Sequence, residues 1–137
     1  MGDRANILII DRPKVAEDDN EVSGIYLYTH WDGYEWPERL RQALNLGTAR
    51  SRWNDESYLT RIITTQMFMD LGEGATGGGI STMLTDNEHE IIVLDIPAQQ
   101  VAFAAQGKQE DRRWWTNHMS FEDFCDQVEA KYPNEEN

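Results

Sequence analysis

Apolar and polar positions divide the chain into short elements before any chemistry is considered. The run NILII at 6–10 predicts a strand, and GIYLYT at 24–29, made of β-formers, predicts a second. Between them PKVAEDDNEVS, at 13–23, has no apolar periodicity and is rich in acids, so it predicts an exposed loop, with the flanking strands as a hairpin or neighbouring pair. Pro37 suits the first turn of a helix, Leu40, Ala43 and Leu44 follow at helical spacing, and Gly47 is the expected stop. Asn54 or Asp55 predicts the cap of a second helix, in which Leu59, Ile62, Ile63 and Met67 share one face as far as Gly72. After the break GEGATGGG, the segments 80–84, 91–96 and 100–105 predict a three-stranded meander, with turn chemistry at Asp86-Asn87 and at Pro97. A polar loop with aromatics, GKQEDRRWWTNHM, leads to a last helix opened by Ser120 and Asp123 and marked by Phe121, Phe124, Cys125 and Val128.

The order β-β-α-α-β-β-β-α predicts an α+β fold: a largely antiparallel five-stranded sheet with helices packed mainly on one face. A chain of 137 residues corresponds to one domain, expected over 1–132, with PNEEN at 133–137 as a frayed acidic tail. Cys125 is the only cysteine, which excludes an internal disulfide and a four-thiolate zinc site and fits a reducing cytoplasm. The apolar run at 7–10 is far shorter than a membrane span of roughly 20 residues, so no membrane association and a cytoplasmic location are expected. Gly2 does not read as a lipid anchor, because Asn6 stands where the acylation motif needs Ser or Thr. With 12 Lys and Arg against 25 Asp and Glu, the net charge of −13 repels phosphate backbones and argues against direct nucleic acid binding.

The segments MGDRAN, LYTHW, RWNDESYLTRII and GISTMLTDNEH together resemble a family of small uncharacterised proteins of bacterial and phage genomes, which open with MGDRAN and carry a THW motif. The family's usual Gly-Gly after THW is Asp32-Gly33 here. The resemblance implies a setting among mobile elements and their hosts and no mechanism, since it brings no assigned catalytic residues.

Five constellations could carry chemistry. Asp3, Arg4 and Asn6 open the first strand and Thr29, His30, Trp31 and Asp32 close the second, so pairing of the strands would gather them at one edge of the sheet into a polar pocket. Alternation puts His30 on the face of Tyr28 and of Asp32, whose carboxylate could orient the ring as a general base, with Asp3 as a further candidate. The competing role is a structural hydrogen bond, and no Ser or Cys stands at a triad spacing. Asp86, Glu88, His89 and Glu90 are metal-ligand types, but acidic turns are usually just solvated and no compact signature is present, so no metal and no cofactor are expected. GEGATGGGIST lacks the Lys of a phosphate loop and leads into a strand, so a flexible turn is the simpler reading. Arg50, Arg52 and Trp53, and separately Arg112, Arg113 and Trp114 with Trp115, could stack a base or anchor a partner, or seal the core. Glu122, Asp126 and Glu129 could imitate a phosphate backbone, or form a solvated helix face. The balance favours a small acidic, non-catalytic binding protein that docks on a partner protein, in the phage or mobile-element setting. The alternatives are binding or sequestration of a nucleotide-like ligand through Arg4, His30, Trp31 and Arg112 or Arg113, and a small hydrolase or transferase using His30.

Overall fold

The computed structural model describes residues 2–71 and 76–127. The strands are β1 (Ala5–Ile10), β2 (Ile25–Thr29), β3 (Gly78–Ser81), β4 (Ile91–Asp95), β5 (Gln100–Ala104) and β6 (Thr116–Ser120). The helices are α1 (Trp36–Asn45), α2 (Gly47–Arg50), α3 (Glu56–Met67) and α4 (Phe121–Cys125), with 3-10 turns at Gly33–Glu35 and Arg112–Trp114. The fold is a single α+β domain around one open, mostly antiparallel sheet in the order β3-β2-β1-β4-β5-β6. Among the described residues no helix is long and apolar enough to cross a membrane.

Among the described residues the sheet has six strands, one more than the pattern predicts. β6 lies inside what reads as the polar loop before the last helix, because TNHMS is an exposed edge strand with no buried face to impose alternation. The meander is also overturned. β3 pairs with β2 at the far edge, at Leu27 opposite Ile80, while β4 lies parallel to β1 in the middle, at Ile7 opposite Ile92. The segment around Asp86-Asn87 is therefore a crossover and not a hairpin turn. The paired central strands explain the runs ILII and IIVL: every residue of β1 and β4 is buried, so both faces are apolar and the alternation disappears.

One face of the sheet carries the helices. Ile7, Ile9, Leu27 and Leu94 pack there with Trp36, Leu40 and Leu44 of α1, Leu59 and Ile63 of α3 and Phe124 of α4. The caps follow the sequence: the Asp55 carboxylate accepts from the Tyr58 N–H, and the Ser120 hydroxyl accepts from the Asp123 N–H at 3.0 Å. Gly47 opens the short α2 instead of ending α1, which stops at Asn45. Trp53 donates its Nε1–H to the Leu44 carbonyl at 3.1 Å and meets Phe121 edge-on, so this aromatic seals the helix layer. Glu38, nearly buried, is paired with Arg41; the Arg41 hydrogen bond outweighs burial and holds its carboxyl below the ordinary value. The expected Val128 and Glu129 positions of the last helix, its Gly72 counterpart after α3, and the boundary and tail at 132–137 lie outside the described residues.

Among the described residues the other face is covered without an α-helix. Leu8, Ile10, Tyr26, Val93 and Ala102 pack beneath Trp115, which the loop after β5 carries over the sheet. A buried polar chain fixes that loop. Trp115 donates to the Gln109 carbonyl at 2.8 Å, Gln109 donates to the Tyr26 hydroxyl at 3.1 Å, and the same hydroxyl donates to the Glu110 carboxylate. Burial, reinforced by Glu110, pushes the Tyr26 phenol well above its ordinary range, so it stays a donor.

Candidate functional site

The polar opening of β1 and the end of β2 do converge, but in the middle of the sheet, at the strand ends, and not at an edge. Beyond the last ladder pair, Ala5 with Thr29, the Asp3 N–H donates to the His30 carbonyl at 2.7 Å and the Gly33 N–H donates to the Asp3 carbonyl at 2.8 Å. Gly2 lies between Arg4 and His30: a Cβ there would stand 3.0 Å from Arg4 Nε and 3.1 Å from His30 Nε2. Asp3, Arg4 and His30 thus share one cluster, with Asn6 and Thr29 buried below it.

The partners inside the cluster differ from those expected. His30 Nδ1 lies 2.9 Å from the Tyr28 hydroxyl, and its ring meets Trp31 edge-on at 4.3 Å. Burial raises the Tyr28 phenol, Arg4 offsets part of this, and Asp86 and Glu88 add to it, so the phenol keeps its proton beside the imidazole. Among the described residues no hydrogen bond joins the Asp32 carboxylate to His30; the Asp32 N–H instead donates to Thr29 Oγ1 at 3.2 Å and turns the chain into α1. Gly77 closes the outer side. Its φ of +106° lets its carbonyl accept the His30 N–H at 2.9 Å and brings its backbone against the Trp31 ring.

The histidine that meets a carboxylate is His89, in the crossover from β3 to β4. Its Nε2 lies 2.5 Å from Asp3 Oδ1, while Asp3 Oδ2 accepts the Tyr34 N–H at 2.8 Å. Burial pushes the Asp3 carboxyl up, but the His89 hydrogen bond, the Tyr34 N–H and the His89 charge together hold it below its ordinary value. An ionised Asp3 accepts from Nε2–H and leaves Nδ1 as the basic nitrogen. Gly33 permits this approach, since a Cβ there would come within 2.9 Å of the His89 ring. The pair lies at a cavity of about 220 Å³ whose walls include Ala5, Tyr34, Pro37, Ile92 and Phe103. A polarised imidazole over an apolar hollow can take a proton from a bound group, but acyl or phosphoryl transfer needs a nucleophile, and burial raises the Cys125 thiol within the helix-face core.

Arg4 and Asn6 act chiefly as fasteners of the same crossover. The Arg4 N–H donates to Glu88 Oε1 at 2.9 Å, the guanidinium reaches Asp86 at 3.4 Å, and the Glu88 N–H donates to the Arg4 carbonyl at 2.8 Å. Asn6, 0% exposed, donates through Nδ2 to the carbonyls of Thr85 and Asp86, each at 3.1 Å. Asp86 and Glu88 are thus occupied by Arg4, and among the described residues no three His, Cys, Asp or Glu side chains are placed to hold one metal ion. His89 is the residue that sequence reasoning missed as a partner for Asp3; it stood in the DNEHE turn only as one of several ligand types.

Arg112, Arg113 and Trp114 do not join this cluster. β1 and β4 run parallel, so Asp95, which accepts from Arg112 Nη1 at 2.7 Å, lies beside Ile10 at the opposite end of the strands from Asp3. Arg113 pairs with Asp111 at 2.7 Å and Trp114 lies under Lys108. Arg50 bonds Glu122 at 3.0 Å across the helix layer and covers Trp53, so that basic and aromatic segment is a packing element. Comparison with family models, with curated proteins and with solved structures found no match to this chain.

Proposed function

We propose that the protein is a small acidic, non-catalytic binding protein that docks on a partner protein by accepting one of the partner's strands at the open edge of β3. What carries this reading is the chemistry of that edge. Among the described residues β3 pairs only with β2 in the sheet order, and residues 76–85 contain no charged side chain in a chain that is 27% charged. Ile80 is 56% exposed, Met83 70% and Trp31, which packs on Gly77, 56%. Edge strands are normally guarded by charges, Pro or bulges, because their unpaired N–H and C=O groups recruit other strands. The opposite edge has such a guard, a register irregularity between β5 and β6, and β3 pairs regularly. Strand addition draws affinity from main-chain hydrogen bonds and specificity from the flanking side chains, here Trp31, Ile80 and Met83. The net charge of −13 favours a segment flanked by basic residues. The resemblance of MGDRAN and THW to phage and bacterial proteins supplies the setting, with the cytoplasm of a host cell as the place of action.

The alternatives draw less support. A nucleotide-like ligand at Arg4 would compete with Asp86 and Glu88 for the guanidinium, and a His30 base has Tyr28 and not a carboxylate behind it. The test is affinity capture from host lysate with the wild-type chain and with Ile80→Lys, which leaves the buried core untouched. The expected outcome is a partner captured by wild type and lost from the variant at unchanged melting temperature. Recovery of no partner above background, or equal recovery by both proteins, counts against the proposal.

A further inference from the structure

The helix layer does not cover its face of the sheet evenly. Ile92 of β4 stands opposite Ile7 of β1 and Phe103 of β5, and Ile7 and Ile92 belong to the core beneath the helices, so this row faces the helix layer. Ala5, two residues before Ile7 on β1, lies on the same face. Beside Pro37, in the first turn of α1, the cavity of about 220 Å³ is left over these three strands, with Ala5, Ile92 and Phe103 as its floor.

Glu90 is the charged side chain in its lining. It is exposed, stands just before β4, and has no hydrogen bond or ion pair among the described residues. An unpaired acid is ordinary in a chain with 25 acids against 12 Lys and Arg. Glu90 differs in standing at an apolar hollow, where less water screens its charge. His89 beside it has Asp3 behind its ring at 2.5 Å, which brings a second carboxylate close to the cavity. Among the described residues no Lys or Arg lines the cavity.

We infer that this cavity binds a small organic ammonium ion, its charge at Glu90 and its hydrocarbon on Ala5, Pro37, Ile92 and Phe103. A neutral ligand would take water from the Glu90 carboxylate without replacing its hydrogen bonds, and an anion would meet Glu90 and Asp3. An ammonium replaces those bonds with charge-assisted ones, and aromatic rings such as those of Tyr34 and Phe103 attract cations over their faces. The volume exceeds the ~150 Å³ that accommodates benzene and falls below the ~300 Å³ of pockets for drug-sized ligands, so the hydrocarbon is short. The cation could be a free amine or a lysine side chain, and titration separates the two. The floor spans β1, β4 and β5, on the far side of β2 from the β3 edge, so neither site's test decides the other.

The test is titration of the full chain with 3-methylbutylammonium chloride, followed by nuclear magnetic resonance of the Ala5 and Ile92 methyl groups at constant ionic strength. The neutral 3-methylbutan-1-ol and Nα-acetyl-lysine methylamide are titrated in parallel. Saturable shifts with the amine, at about fivefold tighter affinity than the alcohol, are expected. Tighter binding of the lysine derivative assigns the site to a lysine side chain, and tighter binding of the free amine to a small molecule. Glu90→Gln, at an exposed position outside the core, should weaken amine binding about fivefold at unchanged melting temperature and leave the alcohol unaffected. No saturable shift with either amine, equal affinity for the alcohol, or equal amine affinity in the variant overturns the inference.

Discussion

At the scale of single residues, the informative pair is Asp3 with His89. A hydrogen bond of 2.5 Å, with the Tyr34 N–H on the other oxygen, stabilises the ionised carboxylate in the folded state. The folded carboxyl titrates below its ordinary value of 3.8, so on acidification the unfolded chain binds this proton first. The stabilisation is complete above that value and is lost as pH falls through the lower folded one. Asp3→Asn should therefore reduce stability at neutral pH and lose less than wild type between neutral pH and about pH 3. Urea denaturation at several pH values measures this, and parallel profiles for the two proteins would contradict the assignment. Among the described residues His30 has no hydrogen bond to a carboxylate; its neighbours are Tyr28 and Trp31, which make it part of the wall that leads to the β3 edge.

At the scale of elements, the crossover between β3 and β4 is the unusual piece. It carries the chain from the sheet edge back to its centre, and its own side chains are largely exposed and polar, so little apolar burial holds it. Asn6 does much of that work from within β1: one buried amide serves the Thr85 and Asp86 carbonyls and the Asn87 side chain, at 3.1, 3.1 and 3.2 Å. Asn6→Ala removes these donors together and should cost about 1–3 kcal/mol in urea denaturation, the usual penalty for stranding buried hydrogen-bonding groups. The surface pairs of Arg4 with Asp86 and Glu88, at 3.4 and 3.9 Å, are worth roughly 0–1 kcal/mol each, so Arg4→Gln should change stability less than Asn6→Ala. The reverse order would show that charge, and not the amide, holds the crossover.

At the scale of the whole molecule, 25 acids against 12 Lys and Arg make self-repulsion a general destabilising force. Salt acts in two directions here, weakening exposed ion pairs and screening repulsion among excess acids. The acids outnumber the cations about twofold, so screening dominates. The melting temperature should rise as sodium chloride increases from about 10 to about 150 mM, where the Debye length falls from ~30 to ~8 Å. A falling melting temperature in calorimetry would show that the exposed pairs matter more than the excess charge.

Much of the local structure was legible in the chain: two caps, the faces of α1 and α3, and strands β1, β2, β4 and β5 to within a residue or two. Those features depend on neighbours along the backbone, where helical spacing and capping chemistry act at short range. β6 was illegible because an exposed edge strand buries neither face, and the parallel pairing of β1 with β4 was illegible because two strands apolar on both faces fit several partners equally well. The candidate site was half legible. The sequence placed Asp3, Arg4 and His30 near one another through the pairing of the first two strands, a contact that follows from adjacent elements. Only the tertiary structure decided that His89, 86 residues away, would be the partner of Asp3, and that Arg112 would stand at the other end of the strands. Strand order decides both, and it is set by the fit of all buried faces at once, a quantity that no single stretch of sequence contains.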